Sequence, residues 1–309
     1  MKIFVTGATG VIGRRVVPLF VQRGHAVTAI GRSMAKRELL ERAGARAVDV
    51  NLFDEARLRE AVSGHDAIVN LATHIPSSTT RMLLPWAWRE NDRVRRLGSG
   101  TIVNAALAAS VQRVIQESFA PIYADHGDAW IDEHHIVTPV RYNRSVLSAE
   151  NAAARFTGPG RCGVVLRFAG FYGPDAFTLR ELVATVRKGW MPIPGSPEAF
   201  VSSISHDDAA AAVVAALEVP AGVYNVSDDE PLRRRDWIAA LTGAFAIAPP
   251  RPLPSWVSRA GGSIMELLSR SQRISNRTLR SASNWAPRHA SVREGFAAIA
   301  SEWSRSSTG

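Results

Sequence analysis

The sequence predicts an α/β fold. Short apolar strand segments alternate with amphipathic helical ones through the first half, and a glycine-punctuated turn joins the first such pair. Residues 2–6 form a short apolar run of the kind buried on both faces of a sheet. Gly7-Ala8-Thr9-Gly10 breaks it, and apolar residues at Val11, Ile12, Val16, Val17, Leu19 and Phe20 then mark one helical face before Gly24 stops the helix. The pattern continues with a strand at 25–30, a helix at 34–43, a strand at 46–50, a helix at 54–63 and a strand at 66–71. A helix at 90–109, a strand at 112–117, a helix at 141–156 and a strand at 162–167 follow. Right-handed crossovers between successive strands imply a doubly wound parallel sheet.

The turn between the first strand and helix carries the first chemical information. Thr6-Gly7-Ala8-Thr9-Gly10-Val11-Ile12-Gly13 spaces its glycines by three. Gly7 permits the tight turn, Gly10 lets backbone approach a pyrophosphate, and Gly13 lets the helix pack on the sheet. Free N–H groups at the helix start then face the phosphates. This is a Rossmann-type dinucleotide site, with Gly7, Thr9, Gly10, Val11, Ile12 and Gly13 as its phosphate loop. The end of the second strand discriminates between cofactors, since an acid there would hold a ribose 2′-hydroxyl. The chain reads Ile30-Gly31-Arg32-Ser33, without an acid. Arg32 can fork onto a 2′-phosphate and Ser33 can add a hydroxyl, so the expected cofactor is NADP(H).

Composition narrows the setting. With 309 residues the chain is long enough for one domain and a smaller lobe, and no run approaches the length of a membrane span. Lys and Arg total 37 against 28 acids, a net charge of +9. A solvated basic surface, an anionic ligand and nucleic acid all compete to explain it. Basic residues are scattered, with short clusters such as Arg233-Arg234-Arg235 and no basic-aromatic module, so a small-molecule substrate is expected and nucleic acid and membrane are not. The single cysteine, Cys162, excludes an internal disulfide and reads as a small apolar core residue. The chain starts directly on a core strand, and the expected location is cytoplasmic.

Several further segments resemble the extended short-chain dehydrogenase/reductase family, in its NAD(P)-dependent epimerase/dehydratase branch. They are Asn70-Leu71-Ala72-Thr73 after the fourth strand, Tyr142-Asn143-Arg144-Ser145-Val146-Leu147-Ser148-Ala149-Glu150, and 165–174 leaving the sixth strand. Ser202-Ser203-Ile204-Ser205-His206-Asp207-Asp208 resembles the branch's turn into a helix, and 222–226 its last strand. The resemblance implies a Rossmann sheet over 1–170, completed by about 201–227, with 171–200 and 228–309 as a smaller C-terminal substrate lobe. It also implies cofactor contacts at Asn51, Leu52, Leu71, Ala72, Thr73, Phe168 and Gly170. A homodimer through a four-helix face is implied as well, although Arg93, Arg95 and Arg96 charge one of those helices.

The resemblance breaks at the reactive group. The family's Tyr-x-x-x-Lys pair survives only as Tyr142, because position 146 is valine. The serine position falls on Phe119, with Ser118 one residue early, and the assisting asparagine position falls near Arg95, with Asn91 one turn before. A phenol of pKa near 10 is only about 0.1% ionised at neutral pH, so as an unassisted base Tyr142 loses roughly a thousandfold. As a neutral donor it needs no lysine. The expected chemistry is therefore reduction of a carbonyl or activated double bond, with Tyr142 or Tyr123 donating the proton and Ser118 assisting. A non-redox dehydratase, cyclase or isomerase, and a non-catalytic NADP-sensing protein, are the alternatives.

Two loops are weighed for the remaining roles. The segment 117–135 gathers Asp125, His126, Glu133, His134 and His135, from which Asp125, Glu133 or one histidine offers acid-base chemistry. Its spacing does not suit a metal site. The loop from Ile75 to Trp88, rich in Met, Leu and Trp, reads as the lining of an apolar pocket, which favours a partly hydrophobic, non-nucleotide substrate. The run 272–277, followed by Asn284-Trp285-Ala286-Pro287, resembles a C-terminal docking segment whose arginines either meet a diphosphate or cap a helix.

Overall fold

A computed structural model describes residues 1–141, 143–252 and 262–307. Seven parallel strands form its central sheet: β1 (Lys2–Thr6), β2 (Ala26–Ile30), β3 (Arg46–Val48), β4 (Ala67–Asn70), β5 (Arg113–Phe119), β6 (Cys162–Phe168) and β7 (Gly222–Val226). Their spatial order is β7-β6-β5-β4-β1-β2-β3, so strand order reverses between β1 and β4. Ligands of such sheets sit outside the carboxyl ends of the strands at that reversal.

Helices cover both faces. Alternate residues of one strand point to opposite sides, so Val5 joins a core with α1 (Gly13–Gln22) and α7 (His206–Ala215). Its neighbour Phe4 faces α3 (Glu55–Val62), α4 (89–108) and α5 (Val146–Phe156). Between these lie α2 (Met34–Arg42) and α6 (Phe177–Arg187). The helix α4 is three contiguous segments, Arg89–Arg93, a π-type turn Val94–Gly98, and Ser99–Ala108. A third apolar cluster packs Leu179 and Val183 of α6 against Trp237 and Leu241 of α8 (Arg234–Ala244). Phe296 of α10 (Val292–Ser307) completes it, and α9 (Gly262–Ser269) precedes that helix.

Two expectations change. The helix expected over 141–156 starts at Val146, because Val146, Leu147 and Ser148 donate their N–H groups to carbonyls only three residues back, a tighter winding than an α-turn. Cys162 is only half-buried at the start of β6, its thiol directed to the Val219 carbonyl. No helix among the described residues is long and apolar enough to cross a membrane.

The first turn of α1 is clamped from outside the sheet. Arg14 and Arg15 both reach Asp175, Arg15 also pairs with Asp207 at 2.6 Å, and Asp175 Oδ1 accepts from His206 Nδ1 at 2.8 Å. Burial, helped by Arg15, pushes the His206 ring down to about 3. The folded protein thus refuses a proton that the unfolded chain takes up near pH 6.5, so stability drains away as pH falls from about 6.5 toward 3. His206→Asn should flatten this acid limb in thermal melts. An unchanged slope would place the effect on other groups.

Candidate active site

The glycine loop is held by backbone, not by side chains. Gly10 N–H bonds the Gly7 carbonyl at 2.9 Å, and Leu71 N–H bonds the Thr6 carbonyl at 3.2 Å. Gly7 adopts φ +67°, and a Cβ there would lie 2.3 Å from the Leu71 carbonyl oxygen. A Cβ on Gly13 would lie 2.2 Å from the Gly7 oxygen, whereas one on Gly10 would meet only that same oxygen, at 3.1 Å. Gly10 and Val11 are exposed, and Thr9 is half-buried. The loop is therefore closed toward the sheet and open outward, a cradle that a side chain at position 10 would fill. This geometry suits a dinucleotide diphosphate.

Strand register supports the cradle from beneath. Thr6, Asn70 and Gln116 stand opposite one another on β1, β4 and β5. Thr6 Oγ1 donates to Asn70 Oδ1 at 2.5 Å, and Asn70 Nδ2 donates to Gln116 Oε1 at 2.7 Å. Asn70 Oδ1 also accepts the Ala72 N–H at 3.2 Å. This buried row fixes the turn after β4 where it must abut Gly7.

The other expected cofactor positions fall along the same edge, because every strand of a parallel sheet ends there. Arg32 and Ser33 follow β2, and both are exposed. None of the described side chains pairs with Arg32, while its neighbour Arg37 is bound to Asp49 at 3.1 Å. Ser33 caps α2, its hydroxyl accepting from Lys36 N. Asn51 is exposed after β3, and Leu52 is half-buried. Leu71 and Ala72 are buried, Thr73 half-buried. Phe168 is fully buried against Phe171, so only its backbone faces the edge, and Gly170 pairs with Ser203.

A second row crosses β5, β6 and β7, and it takes two expected catalytic groups out of reach. Ser118, Arg167 and Asn225 align across these strands. Arg167 forks onto Glu150 of α5 through Nε at 2.8 Å and Nη2 at 2.7 Å, and Ser118 Oγ donates to the same carboxylate at 2.5 Å. Tyr123 is fully buried; its hydroxyl donates to Asn225 Oδ1 at 2.9 Å and accepts from Arg167 Nη1 at 2.7 Å. Burial raises the Tyr123 phenol to about 12. Neither hydroxyl retains a proton for a substrate: Ser118 and Tyr123 are parts of a buried ion-pair network. Tyr142, the third expected group, lies outside the described residues.

The loop after β5 is likewise spent on structure. Asp125 accepts N–H groups of Gly127 and Ser271, Glu133 accepts the Asn225 N–H and the Thr278 hydroxyl, and His135 bonds Asp132. These bonds dock the segment 271–278 onto the sheet edge, with the Arg273 guanidinium 4.2 Å from the Trp130 ring. The Ile75–Trp88 loop leaves Ile75, Leu83 and Trp86 exposed, and only Pro76 and Trp88 in it are buried. It does not line the apolar cavity described below. The sequence reading also missed a meeting of segments at Arg95, Glu117, Asn143 and Ser145. There Arg95 pairs with Glu117 at 3.0 Å, while Arg95 Nε, Glu117 Oε2, Asn143 Oδ1 and Ser145 Oγ are buried without partners among the described residues.

Comparison with known proteins agrees with this geometry. Residues 7–157 match the NAD(P)H-binding family. A 3-diazoavenalumate denitrifying reductase from Streptomyces sp is 30% identical, over 96% of this chain and 99% of its own. Human epimerase family protein SDR39U1, solved with NADPH, superposes with a TM-score of 0.78 at 22% identity, over 97% of this chain and 99% of that one. The chain belongs to the extended short-chain dehydrogenase/reductase family. A 4-hydroxy-2-methyl-3-oxo-4-farnesyl-3,4-dihydroquinoline-1-oxide ketoreductase from Stigmatella aurantiaca is also similar, 28% identical over 87% of this chain and 81% of its own. At the family level the protein is an NAD(P)-binding, reductase-like oxidoreductase. As a short-chain dehydrogenase/reductase it is atypical, because the lysine position is filled by Val146, fully buried in the first turn of α5.

Proposed function

We propose that this protein is an NADP(H)-dependent reductase that acts on a carbonyl or activated double bond of a small organic substrate. The observation that carries the cofactor half is Arg32, exposed and without a partner among the described residues at the end of β2, beside the open cradle at Gly10. The first-turn N–H groups of α1 would hold the diphosphate, and the Arg32 fork would take the 2′-phosphate. When bound, the reduced cofactor supplies the hydride. Tyr142 supplies the proton as a neutral phenol, which suits reduction because no lysine is needed to deprotonate it. The reductase and ketoreductase names of the two relatives support this direction.

The test separates cofactor from chemistry. Fluorescence titration should show NADPH binding more tightly than NADH. Arg32→Ala should remove about 2–3 kcal/mol of NADPH affinity, roughly 30- to 150-fold, and leave NADH unaffected, because a bond to a charged phosphate is worth that much. A wild-type preference for NADH would overturn the assignment. With a panel of ketones and enones, Tyr142→Phe should lower kcat by about a hundredfold or more without weakening NADPH binding. Full activity in that variant would remove Tyr142 from the reaction.

A further inference from the structure

Among the described residues one buried arginine has no carboxylate partner, and it faces a space beside the cofactor edge. Between that edge and the third apolar cluster lies a cavity of about 140 Å³, close to the roughly 150 Å³ that accepts a benzene ring. Phe119, Phe200, Trp237, Ile238, Leu267 and Ile274 give it apolar walls. Phe119 closes β5 and Gly170 follows β6, so its floor is the same strand edge that carries the cofactor positions.

One guanidinium breaks this apolar lining. Arg234 is 3% exposed, with Nε on the Ser196 carbonyl at 3.2 Å and Nη2 on the Leu268 carbonyl at 2.9 Å. Its Nη1 has no hydrogen-bond partner among the described residues. No carboxylate pairs with it among the described residues, and the stretch 253–261, outside them, contains neither Asp nor Glu. The other arginine of the wall, Arg270, differs, because Glu266 holds its Nη2 at 2.9 Å and the carbonyls of Tyr123 and Thr138 accept from its Nη1. Burial alone lowers Arg234 to about 10, which leaves it charged at neutral pH. The loop is shaped around it: Gly195 sits at φ +111°, and a Cβ there would lie 3.0 Å from the guanidinium carbon. A buried charge kept without a counter-ion costs stability, so its retention calls for a partner that arrives from outside.

We propose that Arg234 is a carboxylate-binding residue, and that this cavity takes an organic monoanion with a ring-sized apolar body. One guanidinium balances one negative charge, and the end of its fork offers two N–H groups in the geometry of a carboxylate. If the protein is the reductase proposed above, that carboxylate anchors the substrate while its reducible group lies toward Gly170 and the cofactor edge.

The full-length protein tests this with benzoate and its neutral isostere benzamide. In thermal-shift and calorimetric titrations benzoate should bind at millimolar concentration, and benzamide should bind about tenfold or more weaker. Arg234→Met should fold, because it replaces an uncompensated charge with an apolar chain of similar length. It should lose the benzoate response and keep its NADPH affinity. Equal binding of the two probes, no benzoate binding, or a variant that still binds benzoate would overturn the proposal. The probe comparison in the unaltered protein decides the matter even where the variant misfolds. Benzoate discrimination without NADPH binding would instead strike only the reductase reading.

Discussion

Gly10→Val is expected to cost about a hundredfold or more in NADPH affinity while leaving the melting temperature within a few degrees of the parent protein. The diphosphate's bonds to backbone N–H groups are charge-assisted and worth about 1.5–3 kcal/mol each, so blocking even one or two accounts for that loss. The fold should tolerate the change because Gly10 is exposed and its added Cβ meets only the Gly7 oxygen, at 3.1 Å. The other two glycines of the loop are the internal controls. Alanine at Gly7 must enter a left-handed backbone 2.3 Å from the Leu71 oxygen, and alanine at Gly13 must push α1 away from Gly7. Both should lower the melting temperature together with binding. Fluorescence titration paired with thermal denaturation separates the outcomes: binding lost with the fold intact at position 10, both lost at 7 and 13. Retained NADPH affinity in Gly10→Val would mean that the cradle does not hold the diphosphate.

The contrast among these glycines shows how much of the site the sequence carried. Spacing alone identified the loop, because its demands are local: a turn, a close approach and a helix start within eight consecutive residues. The doubly wound parallel sheet followed from the same local alternation. What the sequence could not carry was pairing over long separations. Ser118, Tyr123, Glu150, Arg167 and Asn225 read as separate residues, two of them candidates for catalysis, until the register of β5, β6 and β7 set them side by side. The acidic and histidine-rich loop read as chemistry because it is dense in titratable groups, yet its partners include two backbone N–H groups and a hydroxyl 92, 146 and 145 residues away. Arg234 was visible only as part of a basic triplet whose neighbours Arg233 and Arg235 pair with Asp128 and Glu198. Its isolation is a property of burial, which triplet composition does not reveal.

That same network yields the largest expected loss of stability. Glu150→Ala leaves the Arg167 guanidinium buried at the sheet with its main counter-ion gone, and it strips the Ser118 hydroxyl of its acceptor. Breaking one side of a buried pair costs about 3–5 kcal/mol, a large share of a domain's total stability. The variant should therefore melt far below the parent or fail to accumulate as folded protein. Removing both charges tells a different story. Glu150→Leu combined with Arg167→Met takes away the desolvation cost as well as the attraction, so the double variant should recover most of the loss. Its Tyr123 hydroxyl would keep Asn225 as acceptor. Urea melts of Glu150→Leu, Arg167→Met and the double variant close the cycle. If the network is structural, the coupling is large, and NADPH affinity in the double variant matches the parent once folding is restored. A double variant that folds well but no longer turns over substrate would return Ser118 or Tyr123 to the reaction, and with it the view that this row serves chemistry as well as cohesion.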